Sequence, residues 1–540
     1  MLFKKRRIAS LISPLLIGSS ALIFSGITYA NESTELEELR ALVQQLDQKV
    51  RVLDRKNEVA EEASVAKKKE TPIIKASASG FGLESADGQN SIKLGGLIQY
   101  DYRSFDGGAN DVRQRSDARA GSLDTAGFHA ANDTWLARRL RPNIQGTLLG
   151  KYDYRFQEEF AGGSASVVDA YIDARFDPAF KVRIGKYKPF VGLERSQGGA
   201  DIKFIERSYV SNNILPNRDQ GISVHGDVLV NKLNYAFGIN NGVVDGGNAT
   251  TGTAFNGDKE FTARLFATPF KDDISPLSGL GFGLATTYTD STAEKNLNFT
   301  DATAADATRN GLPAYVTNSQ QTFFRYSSAS IADGKRLRVA PQAYYYSGPF
   351  GLLAEYARVS QDVSLASGGS PGSGGAATAY SVVAGSKKTL NNDAWQIAAT
   401  YLLTGEDSSF KSIKPKNDFD INKGGWGAWE LALRYSELNV DSKAFQGANG
   451  ALAGQSSGAS AAATESFADP TLSAKKAKTW TAGVNWYLNS NAKIVLNYEQ
   501  TSFDGGASTG TGTAYNASTN NNVADRPDER ALLARFQVAF

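Results

Sequence analysis

Two hydrophobic periods divide this chain. Between residues 36 and 57 the apolar positions Leu36, Leu39, Val43, Leu46, Val50 and Leu53 step alternately by three and four, and Asn57 takes the next such place. From Ser91 onward, apolar residues return at every second position. The first period is that of a helix with a narrow apolar seam, the second that of strands with one apolar and one polar face. Glu35, Glu37, Glu38, Arg40, Lys49 and Arg51 flank the seam. Residues 31–62 are therefore predicted as a short coiled-coil helix that associates with copies of itself, Asn57 fixing the register. Residues 63–90, charged and then rich in small side chains, are predicted as a linker.

The alternation is clearest in six stretches. In SIKLGGLIQYDYRS, Ile92, Leu94, Ile98, Tyr100 and Tyr102 oppose Lys93, Gln99, Asp101 and Arg103. In LARRLRPNIQGTL, Leu140, Ile144 and Leu148 oppose Arg139, Arg141, Asn143 and Gln145, with Pro142 weakening the pattern because it cannot donate to a ladder. AWQIAATYLL, AWELALRYSE and TWTAGVNWYL repeat it with Trp395, Trp429, Trp480 and Trp486 on the apolar side. RALLARFQVAF carries it to Phe540, with Leu532, Ala534, Phe536 and Val538 facing one way and Arg535 and Gln537 the other.

A soluble β-sandwich also alternates, but it turns its apolar faces inward. Here the apolar faces bear Tyr and Trp near strand ends, as interfacial girdles do, and the opposite faces bear Arg, Asp and Glu, which would be costly in a dry core. Tight turns such as 347–351 and 489–491 alternate with long connections rich in Gly, Ser, Ala and Asn at 364–388, 444–466 and 503–524. The fold class predicted is all-β: a transmembrane antiparallel β-barrel over residues 91–540, preceded by the short helix. Roughly 450 residues at about 28 per strand and its share of loop give about 16 strands. Its last strand would close against its first, with Phe540 as the end read by the barrel-assembly machinery.

Residues 1–30 read as a secretory signal: Lys4, Lys5, Arg6 and Arg7, an apolar run, then Thr28-Tyr29-Ala30 before the expected cut. With no Cys, disulfides and thiolate metal sites are excluded. The formal charge is +2, and the four cations of residues 4–7 leave −2 on the remainder, too near neutral to suggest nucleic acid. No later stretch is long and apolar enough for a spanning helix. Only two His occur, His129 and His225, and no GxxxxGK[ST], HExxH or GxSxG motif stands in a suitable place. No enzyme, cofactor or metal is predicted.

If the apolar faces meet lipid, the charged faces line a pore. The cations so placed are Lys93, Arg103, Arg139, Arg141, Arg155, Arg175, Arg264, Arg336, Arg338, Arg434, Lys493 and Arg535. They outnumber the acids Asp101, Asp153, Asp169, Asp173, Glu355, Glu430 and Glu499, and such an excess favours anions. Wall salt bridges are the plainer reading of any single Arg. One stretch, 185–221, is too long for a hairpin and carries Lys186, Lys188, Arg195, Lys203, Arg207 and Arg218 beside Phe190, Leu193, Ile202, Phe204 and Ile205. Such a loop can fold inward and narrow a lumen, and its guanidinium groups suit phosphate-like oxyanions.

GKYKPFVGLERS with FIERSYVSNNILPNRDQGISVHG resembles the constriction-loop region of the phosphate-selective porin O/P family. WLARRLRPNIQGTLLGKYDYRFQEEF, RLRVAPQAYYYSGPFGLLAEYARVSQ, GGWGAWELALRYSEL and TWTAGVNWYLNSNAKIVLNYEQTSF extend the likeness over about residues 91–540. The resemblance implies a homotrimer of barrels in the outer membrane of a Gram-negative bacterium, surrounded by lipid, passing small anions, phosphate or polyphosphate in particular. It implies constriction roles for Lys188, Arg195, Lys203, Arg207 and Arg218 and wall roles for Arg139 and Arg141. The alternation adds Arg103, Arg336, Arg338 and Arg434 to the wall. The leading helix would lie in the periplasm. Two other readings stay open: a general, weakly selective pore, and a tether that grips the cell wall through the coiled coil.

Overall fold

The computed structural model describes residues 32–77, 80–107, 133–249, 258–292, 311–327, 329–367, 381–446, 466–508 and 523–540. The expected signal segment, His129 and most of the three glycine-rich connections lie outside these residues. The chain divides into a unit ending at Thr71 and a unit from Pro72 to Phe540. The first holds one helix, α1 (Glu32–Glu70), which runs on past residue 62 into the segment read as linker. Leu36, Leu39, Val43, Leu46, Val50 and Leu53 are all exposed along it, so the seam is unpartnered in the single chain.

Sixteen strands, antiparallel between neighbours, form the barrel. They are β1 (Ser91–Gly107), β2 (Thr134–Leu148), β3 (Tyr152–Glu159), β4 (Ser166–Asp177), β5 (Phe180–Tyr187) and β6 (Asp219–Val228). Then come β7 (Leu233–Asn240), β8 (Glu260–Ala267), β9 (Leu280–Thr292), β10 (Ser330–Ser347) and β11 (Phe350–Ser367). The last five are β12 (Lys388–Leu402), β13 (Ala428–Asn439), β14 (Ala474–Tyr487), β15 (Ala492–Ser508) and β16 (Glu529–Ala539). β16 pairs with β1 from Ala539 opposite Leu97 to Glu529 opposite Gly107, which closes the ring and leaves no edge for lipid to solvate. Below that seam a hairpin, Ile73–Ser77 and Gly80–Glu84, pairs with the start of β1 inside the stretch read as linker.

The outside is apolar, as the alternation requires. Trp480 is 56% exposed, whereas its inward neighbours Thr481 and Asn485 are fully buried. Trp429 and Trp486 stack at 4.9 Å near one rim, and Trp395, Tyr435 and Trp480 pack in tilted pairs at 5.1 and 4.7 Å at a second level. On β13 the two levels are separated by six residues, about 20 Å along the strand, close to the height of a lipid-facing band. Pro142 is tolerated within β2 because the ladder to β3 stops at Asn143, the next residue.

Two features depart from expectation. First, the rim of short turns carries one long connection, 403–427, that turns into the barrel and buries Ile413 against Leu402, Ala428 and Tyr487. Second, the inward face is not polar throughout. Residues 311–327, between β9 and β10, form a small inserted hairpin (Ala314–Val316 with Thr322–Arg325). Its Tyr315, Phe323, Phe324 and Tyr326 pack with Tyr209, Val210, Ile214 and Leu215 into a core against Val359, Val363, Leu390, Leu438 and Phe503 of the wall. The alternation inverts along β11 for this reason. Near the short-turn rim Leu352 faces out and Glu355 in; nearer the other rim Arg358 is exposed while Ala357, Val359 and Val363 are buried. Outside the hydrocarbon layer the outer face meets water, and the inner face takes the apolar contacts.

The interior is thus asymmetric. Inward side chains of β10 to β14 such as Arg338, Glu430, Arg434 and Thr481 are completely buried, whereas Asn143, Arg155, Arg183 and Arg264 of β2 to β8 keep partial exposure.

Candidate functional site

The segment between β5 and β6, residues 188–218, folds into the lumen. Its apolar residues Val191, Leu193, Ile202, Phe204, Ile205 and Tyr209 are all buried, which supplies the driving force. Its backbone cannot form a ladder there, so the wall satisfies it. Gln342 donates to the Val191 carbonyl at 2.9 Å, Gln99 to Gly199 at 3.0 Å and Lys493 to Ile202 at 2.8 Å. Asn485 donates to Lys203 O at 2.9 Å, Arg535 to Ile205 O at 2.6 Å and Arg434 to Glu206 O at 2.9 Å. Gly199 packs closely here: a Cβ there would lie 2.9 Å from the Leu97 side chain, which would have to shift.

Most wall cations are neutralised. Asp101 accepts from Arg535 at 2.6 Å and from Arg103 at 2.9 Å, and Arg103 also reaches Glu206 of the loop at 2.7 Å. Arg138 joins them through Nη2 to Glu206 at 3.0 Å. Burial alone would raise the Glu206 carboxyl; the Arg138 and Arg103 guanidiniums outweigh it and hold the group well below the usual range. Arg336 and Arg338 converge on Glu260, Arg338 also on Asp245 at 2.7 Å. Arg434 lies 3.5 Å from Glu194 and 3.6 Å from Glu499, and Arg141 is 2.5 Å from Glu159. Of the six wall candidates, Arg139 alone has no carboxylate within ion-pair distance among the described residues; it donates to Gln99. This pairing is what low-dielectric surroundings demand, since an unpaired buried charge costs several kcal/mol.

The loop cations differ. Lys188 Nζ donates to the Gln197 carbonyl at 2.7 Å. Arg207 donates to that same carbonyl at 2.8 Å and to Glu194 O at 3.3 Å. Arg195 donates to Ser211 O. None of these three has a carboxylate within ion-pair distance among the described residues. Burial, then the neighbouring Arg207 and Arg218, push the Lys188 ammonium well below its ordinary value, and the same three influences act on Arg195. Arg207 is pushed down to about 10 by burial, and by Arg218 and Arg141, against the opposing pull of Glu194. Such mutual repulsion identifies a crowded positive site. Arg218 completes it, although Asp169 accepts from its Nε at 2.9 Å. Lys203 stands apart, 3.5 Å from Glu430 and donating to Lys411 O at 3.0 Å. Four of the five constriction candidates are therefore brought together, with Arg141 approaching from the wall.

Sequence reading passed over Arg138. A bulge places Gln99 opposite Arg139 and Tyr100 opposite Ala137, so Arg138 is the extra residue and its side chain turns to the loop as well. The Arg-Arg doublet facing a loop glutamate was the available signal. His225 is inward too, 2.9 Å from Asp173 and with its ring tilted against Phe190 at 4.7 Å. No group of three or more His, Cys, Asp or Glu gathers as a metal site among the described residues.

A closed sixteen-stranded cylinder with an apolar exterior, aromatic girdles and a charged, loop-narrowed interior is an outer-membrane channel. The chain belongs to the phosphate-selective porin O and P family, which residues 92–540 match. It is 23% identical over 485 residues to Porin O of Pseudomonas aeruginosa, covering 87% of this chain and 92% of that protein. Among solved structures it is similar to the outer membrane channel DcaP of Acinetobacter baumannii, at 12% identity and TM-score 0.43, covering 86% of this chain and all of that one. It is likewise similar to an anion-selective porin from Comamonas acidovorans, at 11% identity and TM-score 0.41, covering 84% of this chain and 100% of that one.

Proposed function

We propose that this channel passes small anions by passive diffusion and favours phosphate-like oxyanions, which pause at Lys188, Arg195, Arg207 and Arg218. The observation that carries this reading is the contrast in pairing: most wall arginines hold carboxylates, whereas among the described residues Lys188, Arg195 and Arg207 hold only carbonyls and so keep donors and charge for a ligand. Guanidinium and ammonium donors around one point suit a tetrahedral oxyanion better than a monatomic ion, because several of its oxygens can be met at once. Three copies of the chain assemble, their exposed heptad seams joined in the periplasm and their barrels surrounded by outer-membrane lipid.

Phosphate block of chloride current through single channels tests the site. Block at submillimolar phosphate is expected; chloride current indifferent to phosphate refutes the oxyanion reading. The neutralised wall favours a second reading, a weakly selective pore. Reversal potentials in a KCl gradient separate the two, and a cation preference defeats both the charge argument and the anion assignment. Deleting residues 31–75 leaves conductance intact if α1 only gathers copies.

A further inference from the structure

We propose that Glu355 on β11 is the positioning residue for the cation cluster: it fixes the turn from which Lys188 and Arg207 are organised. The inference deepens the anion-channel reading and rests on it.

The argument begins with register. Gln342 on β10 pairs with Glu355, Glu355 with Gln396 on β12, Gln396 with Ser436 on β13, and Ser436 with Thr479 on β14. One row across five strands thus presents polar side chains at a single level, and each of them meets the loop. Gln342 donates to Val191 O at 2.9 Å. Glu355 accepts from the backbone N–H of Leu193 at 2.6 Å and of Glu194 at 3.2 Å. Gln396 donates to both the Glu194 and the Glu355 carboxylates, at 3.2 and 2.9 Å. Ser436 accepts from Tyr209 N at 3.3 Å, and Thr479 shares a 2.6 Å hydrogen bond with the Tyr209 hydroxyl.

Glu355 is the carboxyl member of that row and holds the start of a one-turn helix, Leu193–Ser196. The carbonyl end of the same turn does the organising. Glu194 O and Gln197 O take Arg207, and Gln197 O takes Lys188. Only one turn of backbone separates the wall carboxylate from the cations. A cluster of like charges tends to spread, so something outside it must hold it. Two hydrogen bonds from buried N–H groups to a carboxyl group 4% exposed provide that hold. The groups facing Glu355 are Glu194 and Arg195 from the loop, Arg264 from β8, and Gln342 and Gln396 from the neighbouring strands. The two carboxylates are kept from parting by the Gln396 amide between them.

Full-length channels in planar bilayers, with sulfate as the blocking ion, test this. Glu355→Ala is expected to weaken sulfate block of chloride current about tenfold, through the loss of both backbone hydrogen bonds that hold the turn. Glu355→Gln keeps an oxygen for the two N–H groups and should stay within about threefold of the parent. A second readout does not depend on anion preference. The chain has no Cys, so Ser196→Cys can be labelled alone by a charged methanethiosulfonate. Adding Glu355→Ala should speed labelling about fivefold or more as the turn loosens. Should Glu355→Ala fail to insert, Gln396→Ala, which removes the bridge between the carboxylates, is expected to speed labelling in the same direction. Unchanged labelling and unchanged block in the folded variant overturn the assignment. If the parent channel shows no sulfate block, the oxyanion reading fails, while the labelling rates alone still decide the role of Glu355.

Discussion

Arg207→Gln is the most informative single substitution. The arginine donates to two loop carbonyls and has no carboxylate partner among the described residues, so its charge is available to a bound anion. A hydrogen bond between charged groups contributes about 1.5–3 kcal/mol, which is roughly 10- to 150-fold in affinity. Part of that is returned. Arg207 is the largest cationic cause of the lowered Lys188 value, so its removal lets Lys188 hold its proton more firmly and bind more strongly. The net expectation is at the low end, about a tenfold weaker phosphate block. Lys203→Gln is the matched control. Its ammonium lies 3.5 Å from Glu430 and serves the Lys411 carbonyl, so block should stay within about threefold while thermal stability falls from the carboxylate left unpaired. Phosphate titrations of single-channel chloride current on the parent and both variants measure this directly. Equal losses in the two variants, or none in Arg207→Gln, would refute the reasoning that pairing state decides which cations serve the anion.

Four further outcomes follow from the same geometry. Lys188, its value lowered by burial and by Arg207 and Arg218, is charged below that value and neutral above it. Sulfate block should therefore fade as pH rises, before the ordinary lysine range near about 10.4 is reached, and Lys188→Arg should abolish the fade in the same titration. Glu206→Gln leaves Arg103 and Arg138 short of a carboxylate, so reversal potentials should shift toward stronger anion preference at some cost in heat stability. Phe324→Ala opens the buried core under the inserted hairpin and should cost about 3–5 kcal/mol in a denaturant titration, with noisier current. Leu431→Arg places a charge between the two girdle levels of β13 and should cost about 2–4 kcal/mol when folding into lipid vesicles is measured.

Period-2 patterning made the barrel readable because lipid imposes a single rule on every strand. The outward row of Trp480, Val484 and Trp486 needs no tertiary knowledge to recognise. The same rule stopped short where the inner face meets protein instead of water. Ala357, Val359 and Val363 invert the alternation on β11, and nothing local in YARVSQDV says that residues from 311–327 will cover them. The basic residues of 185–221 showed where the loop lies, but their number could not separate Lys203 from Lys188. That distinction depends on Glu430, which approaches from a strand more than two hundred residues later. Arg138 was missed because a bulge adds one residue to a count that assumes none.

The one-sided filling of the cylinder has a consequence for transport. If solutes keep to the side where Asn143, Arg155, Arg183 and Arg264 retain exposure, their path is off-centre and not an axial bore. Substitutions around the perimeter should then divide by compass bearing. Those facing that side change flux, and those behind the packed rings change only how long the protein survives heating.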